Sequence, residues 1–201
     1  MEKVVAVRAD VVKSVAQKVL MATFFAVFTA GMAQIAVKLP FTPVPITLQT
    51  LAVIISGMVL GSRWGLLSQL EYVALGLAGV PIFARGGAGL GHLLGPTGGY
   101  LIGFIGASFV AGLIVELWQG KGSTIKFFLA GIAGITVVYL MGALWLSVWL
   151  NLLQQIAGTK AILTAWDLGI KPFILADLLK VVIAAGITPY SRQMVLKILK
   201  G

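Results

Sequence analysis

Of the 201 residues, 59% are hydrophobic and 10% are charged, and the mean hydropathy is +1.04. A soluble domain carries about 25% charged residues, so these side chains cannot cover a water-facing surface, whereas bilayer tails need no polar face. With no cysteine and one histidine, His92, the chain holds no disulfide framework, thiolate zinc site or iron–sulfur cluster of its own, and the net charge of +9 sits at the ends of apolar runs without the interleaved aromatics that would stack nucleic-acid bases.

The chain opens with Lys3, Arg8, Lys13 and Lys18 and then turns apolar from Val19 to Val37. That run exceeds the 7–15 residues of a signal-peptide core and predicts a retained first span over residues 14–37. Pro40, Pro43 and Pro45 break it, because proline removes a helix donor and clashes with the preceding turn. A short second span is expected over residues 47–60, a turn at Gly61-Ser-Arg-Trp64, and a third span over 65–78. A glycine-rich loop follows, from Val80 to Pro96. The fourth span is expected over 98–117, with Lys121 in its exit turn, and the fifth over 126–152. A more polar stretch reaches Lys171. The sixth span is predicted over 172–188, opened by Pro172 and bent or ended by Pro189. Beyond it, Met194, Val195, Ile198 and Leu199 share one face of an interfacial helix.

The expected architecture is all-α: an integral membrane bundle of six transmembrane helices forming one domain over residues 1–201. Lysine and arginine concentrate on the cytoplasmic side of membrane proteins. With the N-terminus inside, the inner segments hold Lys3, Arg8, Lys13, Lys18, Arg63, Lys121, Lys126, Arg192, Lys197 and Lys200. The outer segments hold Lys38, Arg85, Lys160 and Lys171. Both termini are therefore expected in the cytoplasm, with the proline loop, the glycine loop and the 153–171 stretch together outside.

Asp177 and Lys180 stand out within the last span. Charges inside a membrane face the bundle interior or a cavity, and an i,i+3 spacing puts both on one helix face. Asp177 lies roughly 7–8 Å below the helix start at 1.5 Å per residue. The pair is either a structural ion pair or a polar clamp for a small solute with both donors and acceptors. Thr47 and Gln49 either begin the second helix, with Thr47 as cap, or contact a ligand. Arg85 is placed to meet a carboxylate or is a plain surface charge. The loop glycines do not form a phosphate cradle, since no GxxxxGK[ST] occurs; a mobile outer lid suits them better. Ala22, Ala26 and Ala30 form a small-residue stripe that permits close helix approach, within the chain or to a partner. Glu116 is expected at the headgroups, and Glu71 in a buried hydrogen bond.

Taken together, Pro43-Val-Pro-Ile-Thr-Leu-Gln-Thr50, Gly76-Leu-Ala-Gly-Val-Pro-Ile-Phe83, Leu94-Gly-Pro-Thr-Gly-Gly-Tyr100 and Lys171-Pro-Phe-Ile-Leu-Ala-Asp-Leu-Leu-Lys180 resemble the BioY family, the biotin-specific S components of energy-coupling-factor (ECF) vitamin transporters. The resemblance implies an S-component fold in the plasma membrane and high-affinity biotin capture at the outer face. It also implies docking, through Ala22, Ala26 and Ala30, onto a transmembrane coupling subunit that carries two ATPase subunits. No cofactor is implied for this chain, since ATP is used by its partners. Asp177 would accept from the biotin ureido N–H groups and Lys180 donate to its carbonyl. Gln49, Thr47, Tyr72, Tyr100 and Phe83 would wall the pocket, and Arg85 or loop N–H groups would hold the carboxylate. The rival readings are an S component for another vitamin, a membrane-embedded enzyme, for which nucleophile and base are lacking, and a ligand-free structural subunit.

Overall fold

The computed structural model describes residues 2–118, 124–156 and 158–198, with side chains from residue 13 onward. Lys121, Leu199 and Lys200, and the side chains of Lys3 and Arg8, lie outside the described residues. The chain is mostly helical. Helix α1 covers Glu2–Gln34 and is followed by strands β1 (Ala36–Val37) and β2 (Ile46–Thr47). Then come α2 (Gln49–Leu60), α3 (Ser62–Leu77), the short α4 (Gly89–Leu93) and α5 (Gly98–Leu117). Helices α6 (Thr124–Gln154), α7 (Thr159–Gly169) and α8 (Ile174–Ile198) complete the order.

Among the described residues four helices are long and apolar enough to cross a membrane: Lys13–Gln34, Gly98–Leu117, Thr124–Gln154 and Ile174–Ile198. Helices α2 and α3 coincide with the expected second and third spans but have 12 and 16 residues. At 1.5 Å per residue they reach roughly 18 and 24 Å, less than the ~30 Å hydrocarbon core. Helix α2 is nearly enveloped, with Ala52, Val53, Ile54 and Met58 fully buried. Lipid-facing residues are apolar and outward, among them Leu20, Phe24 and Val27 on α1, Leu140 and Leu144 on α6, and Leu175 and Leu179 on α8.

Several boundaries differ from the sequence reading. The first span stops at Gln34, because Ala36–Val37 pairs antiparallel with Ile46–Thr47 and closes the proline loop into a short ribbon. The polar stretch before Lys171 contains α7, a helix not foreseen. Pro189 neither ends α8 nor separates a second helix; α8 runs unbroken to Ile198. Proline leaves Ala185 O without its helical donor, and the adjoining hydroxyls bond to other carbonyls of the same helix, Thr188 Oγ1 to Ala184 O at 2.6 Å and Ser191 Oγ to Ile187 O at 3.1 Å.

Close helix approach organises the centre. A Cβ on Gly57 of α2 would strike the backbone carbonyl of Ser108 on α5, and one on Gly65 of α3 would lie 2.6 Å from Gly57 Cα. Absence of side chains there lets three helices meet backbone to backbone. Two apolar clusters result. One, around Val53, Tyr72, Phe83, Tyr100, Phe104, Val138 and Phe173, lies at the loop-bearing end. The other, around Ile54, Met58, Val115, Phe127 and Val181, fills the remainder. Glu116 does not stand free at the headgroups. It caps α3, accepting from Ser62 N at 3.0 Å and Ser62 Oγ at 2.6 Å. Glu71 accepts from Thr23 Oγ1 of α1 at 3.1 Å, the hydrogen bond expected for it.

Candidate functional site

The first two turns of α8 place Asp177 and Lys180 toward the axis of the bundle, and the first turn of α2 meets them there. Lys180 Nζ lies 2.7 Å from Asp177 Oδ1, with the two side chains 7% and 5% exposed. Thr50 Oγ1 donates to the same Oδ1 at 2.9 Å and accepts from Lys180 Nζ at 3.1 Å. Lys180 also donates to Thr47 O at 2.6 Å. From α6, Tyr139 Oη donates to Asp177 Oδ2 at 2.6 Å.

An ammonium has three donors, and all three of Lys180 are engaged by Asp177, Thr50 and Thr47. A carboxylate has about four acceptor positions. Oδ1 uses two, and Oδ2 uses one on Tyr139, which leaves one lone pair of Oδ2. Beside it, Gln49 Nε2 donates to Tyr72 Oη at 2.7 Å, and Gln49 Oε1 accepts from Thr47 Oγ1 at 3.0 Å. One amide hydrogen of Gln49 is left over. The site thus keeps one amide donor and several acceptor positions, on Asp177 Oδ2 and Gln49 Oε1 among them, beyond its internal network.

These groups line one partly open pocket. Its apolar wall is Val44, Leu101, Phe104, Val138 and Phe173, and its rim includes Pro45, Ala84, His92 and Thr97. Tyr100 lies in the wall, its Oη tied to Gly169 O at 2.9 Å. Of the expected site residues, Asp177, Lys180, Gln49, Thr47 and Tyr100 therefore share one cavity. Tyr72 does not reach it. Fully buried, it supports Gln49 from behind, bonds to Ile82 O at 3.2 Å and packs edge-on against Phe83, which is itself buried rather than a wall of the pocket. Arg85 is exposed at φ 62° and lines an adjoining outer hollow, which meets the pocket at Pro45, Ala84, His92 and Thr97.

The loop over the mouth is anchored. Gln34 Nε2, at the end of α1, donates to Phe83 O at 3.3 Å and Ile82 O at 3.4 Å, and Gln34 Oε1 accepts from Gly86 N at 3.1 Å. His92 stacks on Phe83 with ring centroids 5.2 Å apart. Burial lowers its pKa below the ordinary histidine value, which keeps the ring neutral. Among the described residues no cluster of His, Asp and Glu could hold a metal ion.

The chain matches the BioY family over residues 3–197. The chain belongs to the BioY family. Within it, the chain is 40% identical to the probable biotin transporter BioY of Pyrococcus horikoshii, over 82% of this chain and 90% of that one. It is likewise 40% identical to the biotin transporter BioY of Thermotoga maritima, over 74% and 81%. The BioY fold is also that of the crystal structure of the S-component for biotin from an ECF-type ABC transporter, with TM-score 0.74 and 24% identity, over 89% of this chain and 92% of that one.

In this BioY chain the alanine stripe is closed off. Ala22 and Ala26 are 3% and 2% exposed, and Ala30 is half-buried. Their side of α1 packs within the chain, where Thr23 meets Glu71 and Thr29 meets Gln69 of α3. The intramolecular alternative describes the packing within the chain, and docking of the stripe onto a coupling subunit stays a proposal. Sequence reasoning missed Thr50, Tyr139, His92, Phe104 and Phe173 as pocket residues. Thr50 lies three residues past Thr47, but nothing in the sequence sets its hydroxyl apart from that of Ser56 in the same helix.

Proposed function

We propose that this chain captures biotin in the pocket of Asp177 and Gln49 and delivers it to the cell as the S component of an ECF transporter; it is a transporter subunit and not an enzyme. The family and the names of its relatives support the solute. One geometric observation supports the place: a carboxylate and an ammonium, both more than nine-tenths buried, stand at the base of an apolar pocket open toward the loops. Buried charge is functional by default within a membrane.

The biotin ureido group has two N–H donors and one carbonyl acceptor. In this reading the remaining lone pair of Asp177 Oδ2 accepts one N–H, and the remaining hydrogen of Gln49 Nε2 serves the carbonyl. Lys180, its hydrogens engaged, reaches the carbonyl only by exchanging one of them, and Thr50, at 3.1 Å the longest, is the bond it exchanges. The fused rings and valeryl chain lie along Leu101, Phe104, Val138 and Phe173. Arg85, in the adjoining hollow, takes the carboxylate. The finer arrangement belongs to the same proposal. The pocket end faces outside and both termini face the cytoplasm of the plasma membrane, supported by the bias of lysine and arginine. A coupling subunit with two ATPase subunits supplies the energy, since this chain has no phosphate loop.

The test is equilibrium binding of labelled biotin to the purified, detergent-solubilised chain, wild type beside Asp177→Asn, with folding checked by circular dichroism. Binding by the wild type that the folded variant loses supports capture at this pocket. A folded wild type that binds no biotin overturns it.

A further inference from the structure

The stretch between α6 and α8 carries a helix whose surface is divided three ways. At about 100° per residue, Ala161, Ala165 and Gly169 of α7 fall in one sector and are buried against the bundle. Ile162, Leu163 and Trp166 fall in a second sector and are 63%, 61% and 51% exposed. Lys160 and Asp167 fall in a third, and Asp167 pairs with Lys171 at 3.5 Å in the open. A helix standing in water has no reason to gather its exposed apolar side chains in one sector and its charges in another. A helix at a membrane surface has that reason, because its apolar face enters the acyl boundary while its charges stay wet.

The neighbouring element gives the direction. Leu144, Val148 and Leu152 of α6, a membrane-crossing helix, are all exposed. An open crevice separates this row from α7, between Val148, Leu152, Ala161 and Ile162. Asn151 supplies its exposed polar group, since the Ser147 hydroxyl is turned back onto Leu144 O at 2.8 Å. The apolar sector of α7 therefore continues the lipid-facing surface of α6 around a corner.

The structure assigns α7 as a lipid-docked helix: Ile162, Leu163 and Trp166 lie in the acyl boundary of the leaflet on the pocket side, with an acyl chain in the α6–α7 crevice. This has a consequence for the site, which rests on the capture function proposed above. Helix α7 presents two carbonyls to the pocket elements. Leu168 O accepts from Thr42 Oγ1 of the proline loop at 2.7 Å, and Gly169 O accepts from Tyr100 Oη at 2.9 Å. The bilayer surface thereby positions the pocket wall.

Absence of cysteine from the chain makes the test direct. Single cysteines at positions 160, 162, 163, 166 and 167 are spin-labelled, and the full chain is reconstituted in phosphatidylcholine–phosphatidylglycerol bilayers. Collision with oxygen, which concentrates in lipid, is compared with collision with a water-soluble nickel chelate. Labels at 162, 163 and 166 are expected to favour oxygen, and those at 160 and 167 the chelate. All five favouring the chelate would place α7 in water and overturn the assignment. Labels at 162, 163 and 166 shielded from both reagents would mean that protein covers this face, and would overturn it equally. None of these readings depends on whether biotin binds.

Discussion

Tyr139 of α6 donates to Asp177 Oδ2 of α8 at 2.6 Å, and this bond decides which part of the carboxylate faces the pocket. Oδ1 is engaged by Thr50 and Lys180, so the phenol fixes the orientation of the one lone pair left over. Hydrogen bonds to a charged group contribute about 1.5–3 kcal/mol. Tyr139→Phe keeps the ring and removes the bond. Biotin affinity is expected to fall at least about tenfold, which is ~1.4 kcal/mol, as read by isothermal titration. Unchanged affinity would show that the ligand does not use Oδ2.

Lys180→Met leaves Asp177 buried without its cation. Breaking a buried pair from one side costs about 3–5 kcal/mol, while replacing both partners by apolar groups is often neutral. The double variant Asp177→Leu with Lys180→Met is thus expected to unfold at a higher temperature than the Lys180→Met variant and to bind no biotin. Retained binding in the double variant would make the pair a packing device.

Gln69 lies in a different polar cluster, fully buried where α1, α2, α3 and α5 meet. Its Nε2 faces the hydroxyls of Thr29, Ser56 and Ser68 at 3.1–3.2 Å, while its Oε1 has no partner. An unmet buried acceptor costs about 1–3 kcal/mol, which offsets what the amide donors contribute. Gln69→Met removes the amide donors and the unmet acceptor together and is expected to shift stability by less than about 1 kcal/mol. A large fall in the thermal midpoint would place an ordered donor at Oε1.

His92 titrates below its ordinary value because burial disfavours its charged form. Its contribution to stability is therefore complete above the unfolded value of about 6.5 and is lost as pH falls through the lower folded value. Thermal midpoints are expected to be level from neutral to mildly basic pH and to decline in acid, with a shallower decline for His92→Gln. Identical profiles would exclude His92 as the source.

Ala26→Trp inserts a large ring at a position only 2% exposed. Overpacking of this kind costs typically 1–3 kcal/mol and occasionally more. Stability and biotin binding are expected to fall together. A variant that binds biotin normally but fails in uptake would return the stripe to the partner surface.

The four long apolar helices were legible because each needs a run of apolar residues, and the expected span 98–117 begins and ends where its glycines and final leucine place it. Asp177 and Lys180 were legible because charge within such a run is conspicuous and the helical period fixes their relation. Thr50 and Tyr139 were not, because their partner lies 127 and 38 residues away and one hydroxyl in an apolar helix resembles any other. Tyr72 and Phe83 were misplaced because composition gives a ring but not the side of Gln49 on which it packs. Helix α7 was overlooked because its apolar sector spans too few residues to register as a run. Pro189 was expected to bend or end the last helix, yet α8 continues past it to Ile198, since membrane helices tolerate proline better than water-exposed ones.

The three hydrogens of Lys180 are all engaged within the chain. A stray chloride or formate entering the pocket finds no idle cation to neutralise, so the site resists occupation by common anions without any steric filter. In the proposed reading a solute gains the open lone pair of Asp177 and the spare hydrogen of Gln49 outright, and only contact with Lys180 asks for a bond to be exchanged. Desolvation of an apolar ring system against Phe104, Val138 and Phe173 then adds to retention, while the cation discriminates against solutes unable to complete that exchange.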